Sequence, residues 1–295
     1  MAPGAPPARL AFGLDATFGV YADLTLETSH GRATQRLRWI EPGTFLMGSP
    51  EDEPERLDWE GPRHLVSLSH GYWLADTACT QALWLAVLGD NPSHFTGDPE
   101  RPVEQVDWMR VQGFLRALET LLPGVRADLP TEAEWEYACR AGTATPFSFG
   151  ATITPEVVNY EGNNPYAGGE PGLYRETTVP VKSLPANSWG LYEMHGNVWE
   201  WCADGQRDYT PNPVDDPTGP LAGDDQPRVV RGGSWSGYAR SARSAGRDRS
   251  EPDFVASYQG FRLCLRSIKP GPELARAAGA APKGRGGEAG DPPGG

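Results

Sequence analysis

Residues 231–266 read RGGSWSGYARSARSAGRDRSEPDFVASYQGFRLCLR. Two sets of residues interleave there. One is a frame of Arg, Ala, Gly and Trp; the other is a scatter of Ser, Gly, Tyr, Asp and Phe. A frame rich in Arg suits a packed chain terminus, because guanidinium groups pair bidentately with carboxylates as readily as with phosphate. The scatter has the composition of an adaptable binding surface, in which Tyr supplies rigid amphipathic area and Ser or Gly supplies fit. Whether the frame or the scatter carries function depends on what the rest of the chain builds around this stretch.

The chain has 295 residues, 38% of them hydrophobic, which is enough apolar material for a substantial core in one domain. Gly 36 and Pro 29 point to many turns and loops and few long helices. A formal charge of -13 opposes sustained contact with a phosphate backbone and argues against nucleic acid as the main partner. The basic exception is local, since Arg228, Arg231, Arg240, Arg243, Arg247, Arg249, Arg262 and Arg266 crowd into and beside the opening stretch. No charged segment followed by a long apolar run opens the chain, so neither a signal peptide nor a membrane span is expected, and a cytoplasmic location is. Cys79, Cys139, Cys202 and Cys264 lie far apart, without metal-ligand spacing, and read as small buried residues.

Along the chain, residues 1–35 read as an N-terminal extension with a β-hairpin strand, 36–268 as one domain, and 269–295 as a disordered tail low in apolar bulk. Residues 1–10 read as a loose end. Apolar and polar residues alternate on both sides of SHGR within residues 19–49, a hairpin signal. Three helices follow. TQALWLAVLG has Thr80 as N-cap and ends at Gly89; DWMRVQGFLRALETLL puts Trp108, Val111, Phe114, Leu115 and Leu118 on one face; TEAEWEYACRAG has Thr131 and Glu134 at capping-box spacing and Gly142 at the C-cap. The later half has little helical period and many Gly, Asn, Pro and Trp. The pattern is α+β.

In order, PGTFLMGSP, EGPRHLVSLSHGYWLADTACTQALWLAVLGDNPS, PVEQVDW, LPTEAEWEYACRAGT, NSWGLYEMHGNVWEWCAD, RVVRGGSW and GFRLCLR resemble the formylglycine-generating-enzyme (sulfatase-modifying factor) family over residues 36–268. That resemblance implies a C-type-lectin-like fold, loop-rich, with the C-terminal strand returning beside the N-terminal one. It also implies, for the enzymes of the family, a copper-binding cysteine pair shortly after the GGS motif. Gly237 and Ala242 occupy the corresponding positions here, so no copper is expected. A second catalytic branch uses non-haem iron held by His and carboxylates, whereas His30, His64, His70, His94 and His195 form no HxxxH-like pair. Structural calcium in the family implies Glu193 and Glu200 through side chains, with Gly196 and Val198 through carbonyls. A further calcium site would use Asn159 and the Tyr160 carbonyl. For Glu200, pairing with an Arg of the closing stretch is the alternative.

Some proteins of this fold resemble the variable proteins of diversity-generating retroelements, whose final segment is copied from a template with its adenines replaced at random. Randomised Asn codons yield any residue except Lys, Glu, Gln, Met and Trp. Ser236, Gly237, Tyr238, Ser241, Gly246, Asp248, Ser250, Phe254, Val255, Ala256, Ser257 and Tyr258 all satisfy that rule. Arg240, Ala242, Arg243, Ala245, Arg247, Arg249 and Pro252, which alternate with them, can be encoded without adenine in the first two bases. The expected function is therefore non-catalytic binding of a protein ligand by residues 236–258, with Tyr238, Phe254 and Tyr258 as anchors. The alternatives are an oxidoreductase with a non-standard metal site, for which His64, Glu104, His195 and Glu200 are the residues to inspect, and an adaptor module in an NTPase or protease system.

Overall fold

A computed structural model describes residues 8–220 and 226–266. The strands are β1 (Ala8–Asp15), β2 (Gly19–Thr28), β3 (Gly31–Ile40), β4 (Gly43–Met47), β5 (His64–Leu68), β6 (Tyr72–Ala75), β7 (Arg126–Asp128), β8 (Trp199–Gly205), β9 (Val214–Asp215), β10 (Arg228–Arg231), β11 (Arg247–Ser250), β12 (Gln259–Phe261) and β13 (Cys264–Arg266). The helices are α1 (Gln81–Leu88), α2 (Trp108–Leu121) and α3 (Glu132–Arg140). Three sheets form, in the orders β1-β2-β3-β6-β13-β7, β11-β10-β8-β12 and β4-β5-β9.

The hairpin arises as its alternation dictates. Val20, Ala22, Leu24 and Leu26 of β2 point inward, and Thr28 pairs with Gly31 across the turn. The chain before it is more ordered than its composition suggests: β1 pairs with β2 over its whole length from Ala8, inside the stretch read as a loose end. Strands β1 to β3 thus share a sheet with β6, β13 and β7, and β3 runs through the division set between residues 35 and 36. The closing strand β13 returns to this sheet, but β6 lies between it and the N-terminal strands. The tail 269–295 lies outside the described residues.

The helices start where side chains can satisfy their first amide groups. Thr80 Oγ1 accepts from Leu83 N, Asp107 Oδ1 accepts from Arg110 N, and Thr131 with Glu134 completes a reciprocal capping box. Helix α3 ends one residue earlier than the sequence suggests, with Ala141 in the left-handed conformation (φ 46°) ahead of Gly142. Thr131→Ala should cost about 1 kcal/mol, read as a lower urea midpoint with an unchanged m-value. An unchanged midpoint would show that the cap is dispensable.

The apolar face of α2 is the one expected, and its Phe114 stacks on Trp84 of α1 with centroids 5.2 Å apart. Phe261 of β12 meets both rings edge-on, tying the closing stretch into the main core. Trp135 and Cys139 of α3 belong to a second core cluster. A third contains Phe147, Ile153, Val158, Tyr160, Tyr166, Ala239 and Ala242 and lies under the stretch where frame and scatter alternate. All four cysteines are buried and free. No helix among the described residues is long and apolar enough to cross a membrane.

Candidate ligand-binding surface

Five arginines of the stretch, Arg231, Arg243, Arg247, Arg262 and the half-buried Arg266, insert into carboxylates supplied by distant parts of the chain. Arg243 reaches Glu53 at 2.6 Å and both oxygens of Glu60 at 2.6 and 2.7 Å. Arg247 makes a bidentate pair with Glu132 at 2.6 and 2.7 Å and lies over the Tyr209 ring. Arg231 pairs with Glu136, which Arg140 also bonds at 2.8 Å. Burial would raise the Glu136 pKa, but Arg140 and Arg231 outweigh it and hold it below the ordinary value. Arg262 grips Glu200 at 2.8 and 3.0 Å, and Arg266 grips Glu134 at 2.7 and 2.8 Å.

His195 adds a neutral pin. Its Nδ1 donates to the Ala242 carbonyl at 2.6 Å, and its Nε2 accepts from the Ser148 amide and hydroxyl at 3.1 and 2.9 Å. Burial is the main cause that lowers its pKa to about 4. The same burial pushes the neighbouring Cys139 thiol up to about 12, far from a reactive thiolate.

With the backbone held this way, the scattered side chains face outward. Eleven of the twelve candidate positions are exposed or partly exposed, whereas five of the seven frame positions alternating with them are buried. Tyr238, Phe254 and Val255 are 47%, 39% and 48% exposed. Ser236, Gly237, Asp248, Ser250, Phe254 and Tyr258 line one open cleft of about 540 Å³. Ser241, Ala256 and Ser257 are half-buried and outside its lining.

Three positions depart from the expected partition. Gly246 is buried, and a Cβ there would lie 2.7 Å from the Ser241 carbonyl oxygen and 3.1 Å from that of Arg243, so it belongs to the frame. Arg240 and Arg249 are exposed: Arg240 lies over the Tyr238 ring and Arg249 lines the cleft. The cleft also recruits Ser234 and Glu251, and strand pairing brings Trp199, Val230 and Gln259 into it. A larger groove of about 910 Å³, with Trp39, Trp108 and Arg266 in its walls, holds none of the twelve.

Residues 25–267 match the sulfatase-modifying factor enzyme 1-like domain. The chain belongs to that family. The domain is 34% identical over 228 residues to the formylglycine-generating enzyme of Streptomyces coelicolor, covering 71% of this chain and 69% of the enzyme. It is 36% identical over 196 residues to the Bos taurus formylglycine-generating enzyme, covering 61% of this chain and spanning half the length of that relative. Among solved structures it is similar to Treponema denticola variable protein 1, with a TM-score of 0.70 and 29% identity, covering 83% of this chain and 99% of that one. The fold of this sulfatase-modifying factor domain is α+β and C-type-lectin-like.

At the positions where the family's enzymes bind copper, the domain offers no sulfur. Gly237 closes a turn by donating its N–H to the Ser234 carbonyl, and the Ala242 methyl is packed in the third core cluster. These residues do not fit a copper site. The calcium candidates are occupied otherwise. Both Glu200 oxygens are engaged by Arg262, with Trp135 Nε1 donating to one, so the ion-pair alternative describes this residue. Glu193 accepts from the amides of Lys182 and Leu184, and burial raises its pKa to about 7. Gly196 and Val198 are buried. At the further site, Asn159 Oδ1 has no hydrogen-bond partner, but its Nδ2 is spent on the Thr177 carbonyl and Asn197.

His64, Glu104, His195 and Glu200 are not brought together. His64 bonds Arg207 and the Pro62 carbonyl, Glu104 accepts from Phe95 N, and the other two have the partners given above. Among the described residues, no three His, Cys, Asp or Glu side chains are placed to hold a metal ion.

Proposed function

We propose that this protein binds a protein ligand through a diversified surface, residues 236–258, displayed on its C-type-lectin-like scaffold, as the variable protein of a diversity-generating retroelement. The observation that carries this reading is the alternation of accessibility along the stretch. Of the twelve scattered positions all but Gly246 are accessible, whereas five of the seven frame positions alternating with them are buried. A surface of that kind can change its contacts without unfolding its support. The similarity to a variable protein of Treponema denticola supports the same reading. A protein surface suits the spread of accessible positions, with Tyr238, Phe254 and Tyr258 supplying the aromatic area typical of interface anchors.

Sequencing the DNA that flanks the coding region tests this directly. The expected result is a near-repeat of the codons for residues 231–266, differing from the gene only where the repeat has adenine, with a reverse-transcriptase gene nearby. A flanking region without such a repeat, or with differences spread over all four bases, overturns the proposal.

A further inference from the structure

We propose that Gln259 is a recognition group at the floor of the cleft, donating a hydrogen bond from its side-chain amide to a neutral amide carbonyl of the protein ligand. The inference rests on the display function above and names the chemistry that the surface recognises.

Gln259 is 1% exposed yet lines the cleft. Its Oε1 accepts a hydrogen bond from the Ser250 hydroxyl at 3.4 Å, while its Nε2 is buried without any partner. An unmatched buried donor costs roughly 1–3 kcal/mol, so such groups are few in folded proteins and call for an explanation. An acceptor brought by a ligand would recover that cost. Asp248 and Glu251 face a single cation, Arg249, around the same cleft, so an anionic acceptor would meet net negative charge. A neutral carbonyl escapes that repulsion, and the N–H of the same amide group can donate to either carboxylate. The rings of Phe254 and Tyr258 supply apolar wall for whatever carries the amide. Nε2 is sealed from water as the chain stands, so an acceptor reaches it only when a side chain of the cleft wall moves aside, an ordinary fast motion for exposed side chains.

The backbone of Gln259 is registered against Trp199 in the β12–β8 pairing, so the sheet sets where the amide lies.

The full chain, labelled with ¹⁵N, provides the test. The side-chain NH₂ signals of Gln259 are assigned by their loss in Gln259→Met, and benzamide and benzoate are titrated separately. Benzamide is expected to shift those signals saturably, to bind Gln259→Met roughly five-fold or more weakly, and to bind the native chain more tightly than benzoate does. Gln259→Asn, whose amide is one methylene short, should show the same loss and serves if the Met variant fails to fold. Absence of a shift, equal benzamide affinity in the variants, or benzoate binding as tightly as benzamide overturns the proposal. Benzamide binding that disappears in Phe254→Ala/Tyr258→Ala but survives Gln259→Met removes only the role of Gln259. Gln259-dependent binding in a gene without a flanking adenine repeat removes the diversified-display reading instead.

Discussion

Arg243→Ala is expected to destabilise the protein by about 3–5 kcal/mol, the range for breaking a buried ion pair by removing one partner. The guanidinium satisfies Glu53 and both oxygens of Glu60, and all three side chains are at most 2% exposed. Truncation leaves two buried carboxylates facing each other with no cation between them. Arg243→Lys should be intermediate, because one ammonium cannot reproduce the fork that reaches both carboxylates at once. Tyr238→Ala, at an exposed position five residues away, should change stability by no more than about 0.5 kcal/mol. Guanidinium unfolding of the three variants reads the contrast. Equal losses for Arg243→Ala and Tyr238→Ala would show that the distinction between frame and scatter has no energetic basis.

The second large effect is a pH dependence. Burial holds the pKa of folded His195 at about 4, below the ordinary imidazole value of 6.5. Above pH 6.5 it is neutral in both states and its hydrogen bonds contribute in full. As pH falls from 6.5 towards 4, the unfolded chain takes up a proton that the folded chain refuses, and about 2–3 kcal/mol of stability is lost by pH 4.5. Glu193, raised to about 7, and Asp204, raised to about 6, both chiefly by burial, work in the opposite direction over this window and mask the loss in the native chain. The comparison to make is therefore with His195→Gln, in which both carboxylates remain. The variant should be clearly less stable than the native chain at pH 7.5, and the gap should shrink by about 2–3 kcal/mol at pH 4.5. A gap that does not vary with pH would mean that His195 titrates normally.

How much of this was legible in the sequence depended on the distance over which each interaction acts. The Thr80 cap, the Thr131–Glu134 box and the inward face of α2 are decided within four or so residues, and they form as read. The Arg-rich composition of residues 228–266 announced structural pairing. Nothing in the sequence assigned Arg243 to Glu53 and Glu60 or Arg247 to Glu132, because those partners meet only when the sheets close. Strand β1 was missed because its weak alternation, broken by Gly13, says little until β2 offers a pairing edge. Gly246 passed the codon rule yet is buried, since the crowding that demands glycine comes from the turn folding back on Ser241 and Arg243. Gln259 gave no signal of its own, because its role at the cleft depends on β12 lying beside β8 and on the hydroxyl of Ser250.

The clamps also set an order of assembly. Arg243 lies 190 and 183 residues beyond the carboxylates that hold it, and Arg247 lies 115 beyond its own. Closing such long loops carries an entropic cost that only a largely formed scaffold can offset. During synthesis the glutamates emerge first and wait, as a cluster of like charges, for arginines near the end of the described chain. The segment from residue 243 onward is then the last part to become ordered, and a chain cut short before it would keep Arg231 but lack Arg243, Arg247, Arg262 and Arg266, four of the cations that allow its acidic interior to close.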